Sequence, residues 1–377
     1  MKLFMLSLSV VVCTLSCAQQ VKSTSNDHYL LVGTYTSGKS EGIYVYKFNS
    51  TTGSFSPVST AKADNPSFLA VSPDEKFVFA VNENGNDKGS IASYSFDKKT
   101  GQLVQVNKQP SGGDHPCYVN IDGSGKWVVS GNYTGGSLSV IPVMSDGKLL
   151  PATQVIEHEG QSVNKQRQEK AHVHATVFSP DYKYLFVPDL GIDKVMIYSF
   201  NQNSGRLDPS NVSFAQTEPG SGPRHLTFHP SGNYAYLMEE LSGNVNVFSY
   251  HKQGKLTSIQ TISAIPSDYK GSVGSADIHV SPDGKFLYAS NRGESNTLAI
   301  FSIDQDGKLK LVGHQSTLGK TPRNFNFDPT GNFLLVANQE GNNIVIFKVD
   351  KKTGLLSPLP TQIEVPKPVC IKWASVN

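Results

Sequence analysis

Apolar residues along this chain come in short runs, broken by polar turns, and the runs recur. Each copy reads as an apolar strand, a tight turn and a second apolar strand. The copies are Phe68-LAVSPDEKFVFAVNE, Tyr118-VNIDGSGKWVVSGNY, Ala175-TVFSPDYKYLFVPDL, His225-LTFHPSGNYAYLMEE, Asp277-IHVSPDGKFLYASNR and Asn324-FNFDPTGNFLLVANQ. They repeat about every 50 residues, the period of β-propeller blades. Pro, Asp, Ser and Gly fill the turns because each supplies turn geometry cheaply. A third apolar strand follows each pair, as in Ser90-IASYSFD, Lys194-VMIYSF, Asn244-VNVFSY and Thr297-LAIFSI. A "GKL" or "GLL" turn and a more polar outer strand complete the unit.

Six copies are complete and a seventh is split. Tyr29-LLVGTY matches a second strand with no first strand before it. Val369-CIKWA matches a first strand, preceded by Pro368 as Pro66, Pro116, Pro223 and Pro322 precede theirs. The pattern predicts an all-β, seven-bladed propeller over residues 28–377, its ring closed by a C-terminal strand that completes the N-terminal blade. Such closure leaves no open sheet edge between first and last blades. Two sandwich domains are the alternative fold, but sandwiches do not repeat at this period.

The repeat also predicts which residues meet. A blade's first strand lines the channel and its second runs antiparallel beside it, so the start of one and the end of the other share a rim. Ser67, Cys117, His174, Arg224, Ala276, Arg323 and Val369 begin the first strands. Asn82-Glu83, Asn132-Tyr133, Asp189-Leu190, Glu239-Glu240, Asn291-Arg292 and Asn338-Gln339 end the second strands, with Thr34-Tyr35 in the split blade. His172, His115, His225 and Asp277 lie nearby. Water alone accounts for the asparagines of a polar channel mouth. Three arginines, a histidine and glutamates on one rim suit an anionic ligand bound by guanidinium forks, with His174 or a Glu moving protons.

Other histidines carry less. His172 and His174 are spaced to share a strand face and could hold a metal, but no third ligand is indicated. His229 reads as a surface turn residue, and His251, His314 and the His158 region read as loops. Gln161 to Lys170 reads as a long rim loop before His172, part of a lid. There is no Cys-x-x-Cys, and no cofactor is called for.

Lys2 and the apolar run Leu3 to Val12 form an export signal over residues 1–18, too short to span a bilayer. Thr14-Leu15-Ser16-Cys17 resembles a lipoprotein signal, with Cys17 lipidated and residues 19–27 a tether. Ordinary cleavage after Ala18 is the alternative. Either way the protein is exported, to the periplasm or as an outer-membrane-anchored lipoprotein. Cys117 and Cys370 fall two blades apart, too far to bridge, and read as buried thiols. With 33 basic and 31 acidic residues the net charge is +2, which excludes a nucleic-acid surface but not a small anionic ligand. The sequence is silent on oligomeric state.

The pieces "HVHATVFSPDYKYLFVPDLGIDKVMIY", "GPRHLTFHPSGNYAYLMEEL", "SADIHVSPDGKFLYASNR" and "TPRNFNFDPTGNFLLVANQ" carry a family resemblance. From Tyr29 to Trp373 the chain resembles the seven-bladed propeller lactonases, which include bacterial 6-phosphogluconolactonases and fungal carboxymuconate lactonizing enzymes. The resemblance implies an active site of His174, Arg224, Glu240 and Arg292. Glu239 is a departure, since relatives often have Asn-Glu-Leu where this chain has Glu-Glu-Leu. For a sugar-lactone hydrolase it implies His174 as general base, Arg224 or Arg292 at the oxyanion, and Arg323 on a substrate carboxylate or phosphate. Glu240 would orient an arginine or protonate the leaving hydroxyl. His172, Asp189, Glu239 and Asn291 are further substrate-binding candidates. The alternatives are a muconate-type cyclase, a non-catalytic exported propeller binding a glycan or protein, and a metal-dependent gluconolactonase, whose ligand set the rim does not offer.

Overall fold

The computed structural model describes residues 26–376. Among them 28 strands form seven four-stranded antiparallel sheets, and there is no α-helix. Cys17, the export signal and nearly all of the tether lie outside the described residues. The split blade is as expected: Pro368–Ser375 pairs with Asp27–Thr34, from His28 opposite Ser375 to Thr34 opposite Pro368. Cys370 and Ile371 of the closing strand are fully buried.

The local chemistry of the repeat explains its geometry. Second strands such as Phe333–Asn338 are buried along their whole length, because neighbouring blades cover both faces. In the turn, Ser72 Oγ and Ser281 Oγ accept the amides of Phe77 (2.9 Å) and Phe286 (3.0 Å). Where the repeat has Asp instead, Asp122 and Asp328 carboxylates accept the equivalent amides of Trp127 and Phe333. Blades lock through the glycine between third and fourth strands. Gly205 sits on the Trp127 ring of the preceding blade, where a Cβ would come within 2.2 Å, and its φ of 69° suits glycine. Gly53 meets Phe333 in the same way across the ring closure.

Cys117 and Cys370 are buried free thiols, as expected. Two loop assignments are corrected. His251 ends the strand Asn244–His251, and His314 lies within Leu309–Ser316, where Nε2 donates to Ala264 O at 3.0 Å. His251 is the exposed last residue of a third strand, and His314 lies on an outer strand whose polar, one-face-exposed residues give a weak strand signal.

Candidate active site

At the end of each second strand, two successive residues face opposite ways, as strand geometry requires. The first of the pair turns away from the channel, toward the crossover from the previous blade. Asn82, Asn132, Asn291 and Asn338 each donate Nδ2 to a crossover carbonyl, at 2.6, 3.0, 2.7 and 3.1 Å. Asp189 occupies this position in the fourth blade. Its carboxylate accepts the amides of His172 (2.7 Å) and Gly191 (3.0 Å) and meets His158 Nδ1 at 2.7 Å. Glu239 occupies it in the fifth, where Oε2 accepts Ser242 Oγ at 2.9 Å and Oε1 is buried without a partner. Asp189 and Asn291 thus brace crossovers, Glu239 is bonded within its own hairpin, and the structure does not bring the three to the mouth.

Among the second residues of these pairs, Glu240 is the hub of the mouth. Its Oε2 accepts Arg224 Nε at 2.8 Å, forms an ion pair with Arg292 Nη2 at 3.0 Å, and lies 3.8 Å from His174 Nε2. Its Oε1 accepts Arg167 Nη2 at 2.6 Å. The four residues expected from the sequence are therefore together. Burial opposes ionisation of Glu240, but the guanidinium charges of Arg292 and Arg224, with that of Arg167, outweigh it and hold the carboxyl well below its usual range. Backbone carbonyls take further guanidinium donors: Ala276 O from Arg224 and Gly274 O from Arg292, each at 2.8 Å. Burial pushes Arg292 down to about 10, which leaves it cationic near neutral pH.

His174 is also buried. Its Nδ1 lies 3.8 Å from Cys117 Sγ, and burial together with the Arg224 charge holds the ring well below the usual imidazole range. His172 stacks on Tyr133, with centroids 4.5 Å apart, and is held by Tyr133 O (3.0 Å) and Glu169 (3.2 Å). The two histidines have separate partners, and among the described residues no three His, Cys, Asp or Glu side chains converge as a metal-binding group.

Sequence reasoning missed Arg167. Its loop lies outside the repeat, so no register places it, although the loop itself was read as part of a lid. The loop is pinned through Gln168, which donates to Leu190 O (2.9 Å) and Asp193 Oδ1 (2.8 Å). Asp193 also accepts the amides of Gly220 (2.7 Å) and Gly222 (2.8 Å), just before Arg224. One buried carboxylate thus joins the Arg167 loop to the segment that delivers Arg224.

A second cluster stands across the mouth. Tyr35 Oη donates to Glu83 Oε2 at 2.8 Å, and Ser67 Oγ bonds the same oxygen. The Arg323 guanidinium lies over the Tyr35 ring, 5.3 Å from its centroid. Deeper in the channel, Asp277 binds His225 Nδ1 (2.7 Å), His279 Nε2 (2.9 Å) and Asn324, which ties three blades together. Arg167, Arg224, Arg292 and Arg323 face Glu83 and Glu240, an excess of two positive charges that suits an anionic or strongly polar ligand.

Comparison with known proteins agrees with this architecture. Residues 29–373 match the family model described as lactonase, 7-bladed beta-propeller. A 6-phosphogluconolactonase of Bacillus subtilis strain 168 is 40% identical over 346 residues, covering 91% of this chain and 97% of that one. A 6-phosphogluconolactonase of Formosa agariphila is 41% identical over 342 residues, covering 89% and 96%. The structure of a periplasmic gluconolactonase from Pseudomonas aeruginosa superposes with a TM-score of 0.88 at 40% identity, covering 93% of this chain and all (100%) of that one.

Proposed function

The chain belongs to the seven-bladed β-propeller lactonase family, and on that premise we propose that it hydrolyses a sugar lactone at the channel mouth around Glu240. The observation that carries this is the assembly of Arg167, Arg224, Arg292 and His174 on one buried carboxylate. Lactone hydrolysis develops negative charge on the carbonyl oxygen. A guanidinium already fixed in place meets that charge without reorganising, an effect worth roughly 3–4 kcal/mol for one good donor. Arg292, partly open to the channel, is the arginine for this role, while the fully buried Arg224 holds Glu240 in place. Glu240 itself stays ionised, which favours its orienting the arginines over protonating a leaving group. His174 completes the Glu240 cluster as a neutral imidazole. Its depressed basicity and enclosed nitrogens favour a positioning role over the general-base role expected from the sequence.

Arg323, with no hydrogen-bond partner among the described residues, grips a carboxylate or phosphate of the substrate. The export signal at 1–18, with Cys17 as a lipid attachment point and 19–27 as tether, argues for a substrate outside the cytosol. The similar periplasmic gluconolactonase supports that compartment. The test is a panel of phosphorylated and unphosphorylated sugar lactones, followed by acid release with and without chelator. Turnover should fall on the order of 10²–10³-fold in Arg292→Met, as for loss of one oxyanion donor. Turnover of no lactone in the panel would refute hydrolysis and leave a binding propeller.

A further inference from the structure

We propose that Glu83 is the general base of this hydrolysis, with Tyr35 and Ser67 as the hydroxyls that aim it; the inference rests on the lactonase reading above. Ester hydrolysis needs a proton acceptor with an open lone pair within reach of the attacking water. The Glu240 cluster offers none. Both Glu240 oxygens are taken by guanidinium donors, at 2.6, 2.8 and 3.0 Å. The His174 nitrogens face Glu240 and Cys117, and the ring is buried.

Glu83 differs in each respect. It is the second-blade counterpart of Glu240: both are the mouth-facing residue of the pair that ends a second strand. In place of arginines, Glu83 has two hydroxyl donors, and both sit on Oε2. No described group hydrogen-bonds Oε1, and Glu83 is half-buried rather than enclosed. Two donors on one oxygen fix the carboxylate's orientation and leave the other without a hydrogen bond among the described residues. The surrounding charged and titratable groups are Tyr35 from the first blade, Arg323 from the seventh and Cys117 from the third. His115 packs over Gly85 two residues on, and Asp64 sits on the adjoining crossover. Burial pushes both the Tyr35 hydroxyl and the Cys117 thiol up, so neither competes for the role.

The step balances without a further reactant. Water's proton moves to Glu83 Oε1 as its oxygen bonds the lactone carbonyl carbon, and the carbonyl π pair moves onto oxygen beside Arg292. When the tetrahedral centre collapses, the ring C–O bond breaks. The departing oxygen takes the pair and then the proton held by Glu83. The product is an open-chain hydroxy acid, which ionises in solvent.

The experiment uses a lactone that the wild-type protein turns over. Glu83→Gln keeps the acceptor for Tyr35 and Ser67 but removes the base, and should lower kcat by about 10²–10⁴ with KM within a few-fold. In Glu83→Ala, added formate should restore part of kcat, and Tyr35→Phe should lower kcat with KM within a few-fold. A purely structural role would not give the formate response. Glu83→Gln with kcat within threefold of wild type, or Glu83→Ala that is folded but deaf to formate, overturns the proposal. A wild-type protein inactive on every lactone overturns the hydrolase reading instead, so the two failures are distinguishable.

Discussion

Glu239→Gln gives a quantitative test of a buried carboxyl where other blades carry asparagine. In four blades the equivalent asparagine gives an N–H to a crossover carbonyl. An ionised carboxylate has no proton to give, and Glu239 has one oxygen buried without a partner. Burial pushes its carboxyl up from 4.5 to about 7, against the pull of Ser242 and Asn246. The sign follows directly. Between those two values the folded chain holds a proton that the unfolded chain has released, so stability falls as pH rises. At ~1.4 kcal/mol per pH unit, the loss is on the order of 3 kcal/mol, complete above the folded value. At ~2.1 cal/mol/K per residue this corresponds to about 4 °C in Tm for a domain of this size. Glutamine is neutral throughout and carries the missing N–H. Thermal melts of both proteins from pH 5 to pH 8 should give nearly equal Tm at the acid end. The variant should gain about 4 °C at the alkaline end. Taking the difference cancels every other titrating group. A difference that does not change with pH would refute the reasoning, because the buried carboxyl would then not be titrating with folding.

Two further perturbations probe the site's supports. Arg167→Gln removes one of three guanidinium partners of Glu240 and frees the loop from Tyr133; with the other two in place, lactonase kcat/KM should fall about tenfold with Tm nearly unchanged, by steady-state assay and calorimetry. Deleting residues 368–377 strips the inner strand from the first blade and exposes Leu30 and Val32. The shortened chain should lose cooperative melting and all turnover, though no deleted residue is proposed to do chemistry, and a sharp transition near the full-length Tm would contradict the closure.

Most of the fold was legible because a repeated sequence averages over its own exceptions. Seven imperfect copies of a strand–turn–strand pattern fix a register that one copy would not; that register puts His174, Arg224, Glu240 and Arg292 on one rim, and the family resemblance singles those four out. What the register leaves open is direction. Polar residues at strand ends were read as one population, whereas the backbone's alternation divides them. Glu240 faces the mouth, and Glu239, one residue earlier, turns away to Ser242 of its own hairpin. Asp189 read as a ligand for substrate because nothing in the sequence says that His158 would come to meet it. Arg167 was invisible for a different reason. Its loop has no counterpart in other blades, and only tertiary contacts through Asp193 decide where it points.

The pairing of His28 with Ser375 also fixes which way the molecule faces. Tyr35 and Pro368 stand at the channel mouth that carries Glu240, so Asp27 and Ser375, at the other ends of the same two strands, lie on the opposite face. The described chain thus begins, at Asn26, on the face opposite the rim that carries Glu240. A protein held to a membrane from that face would turn its arginine-lined opening outward, away from the anchoring surface.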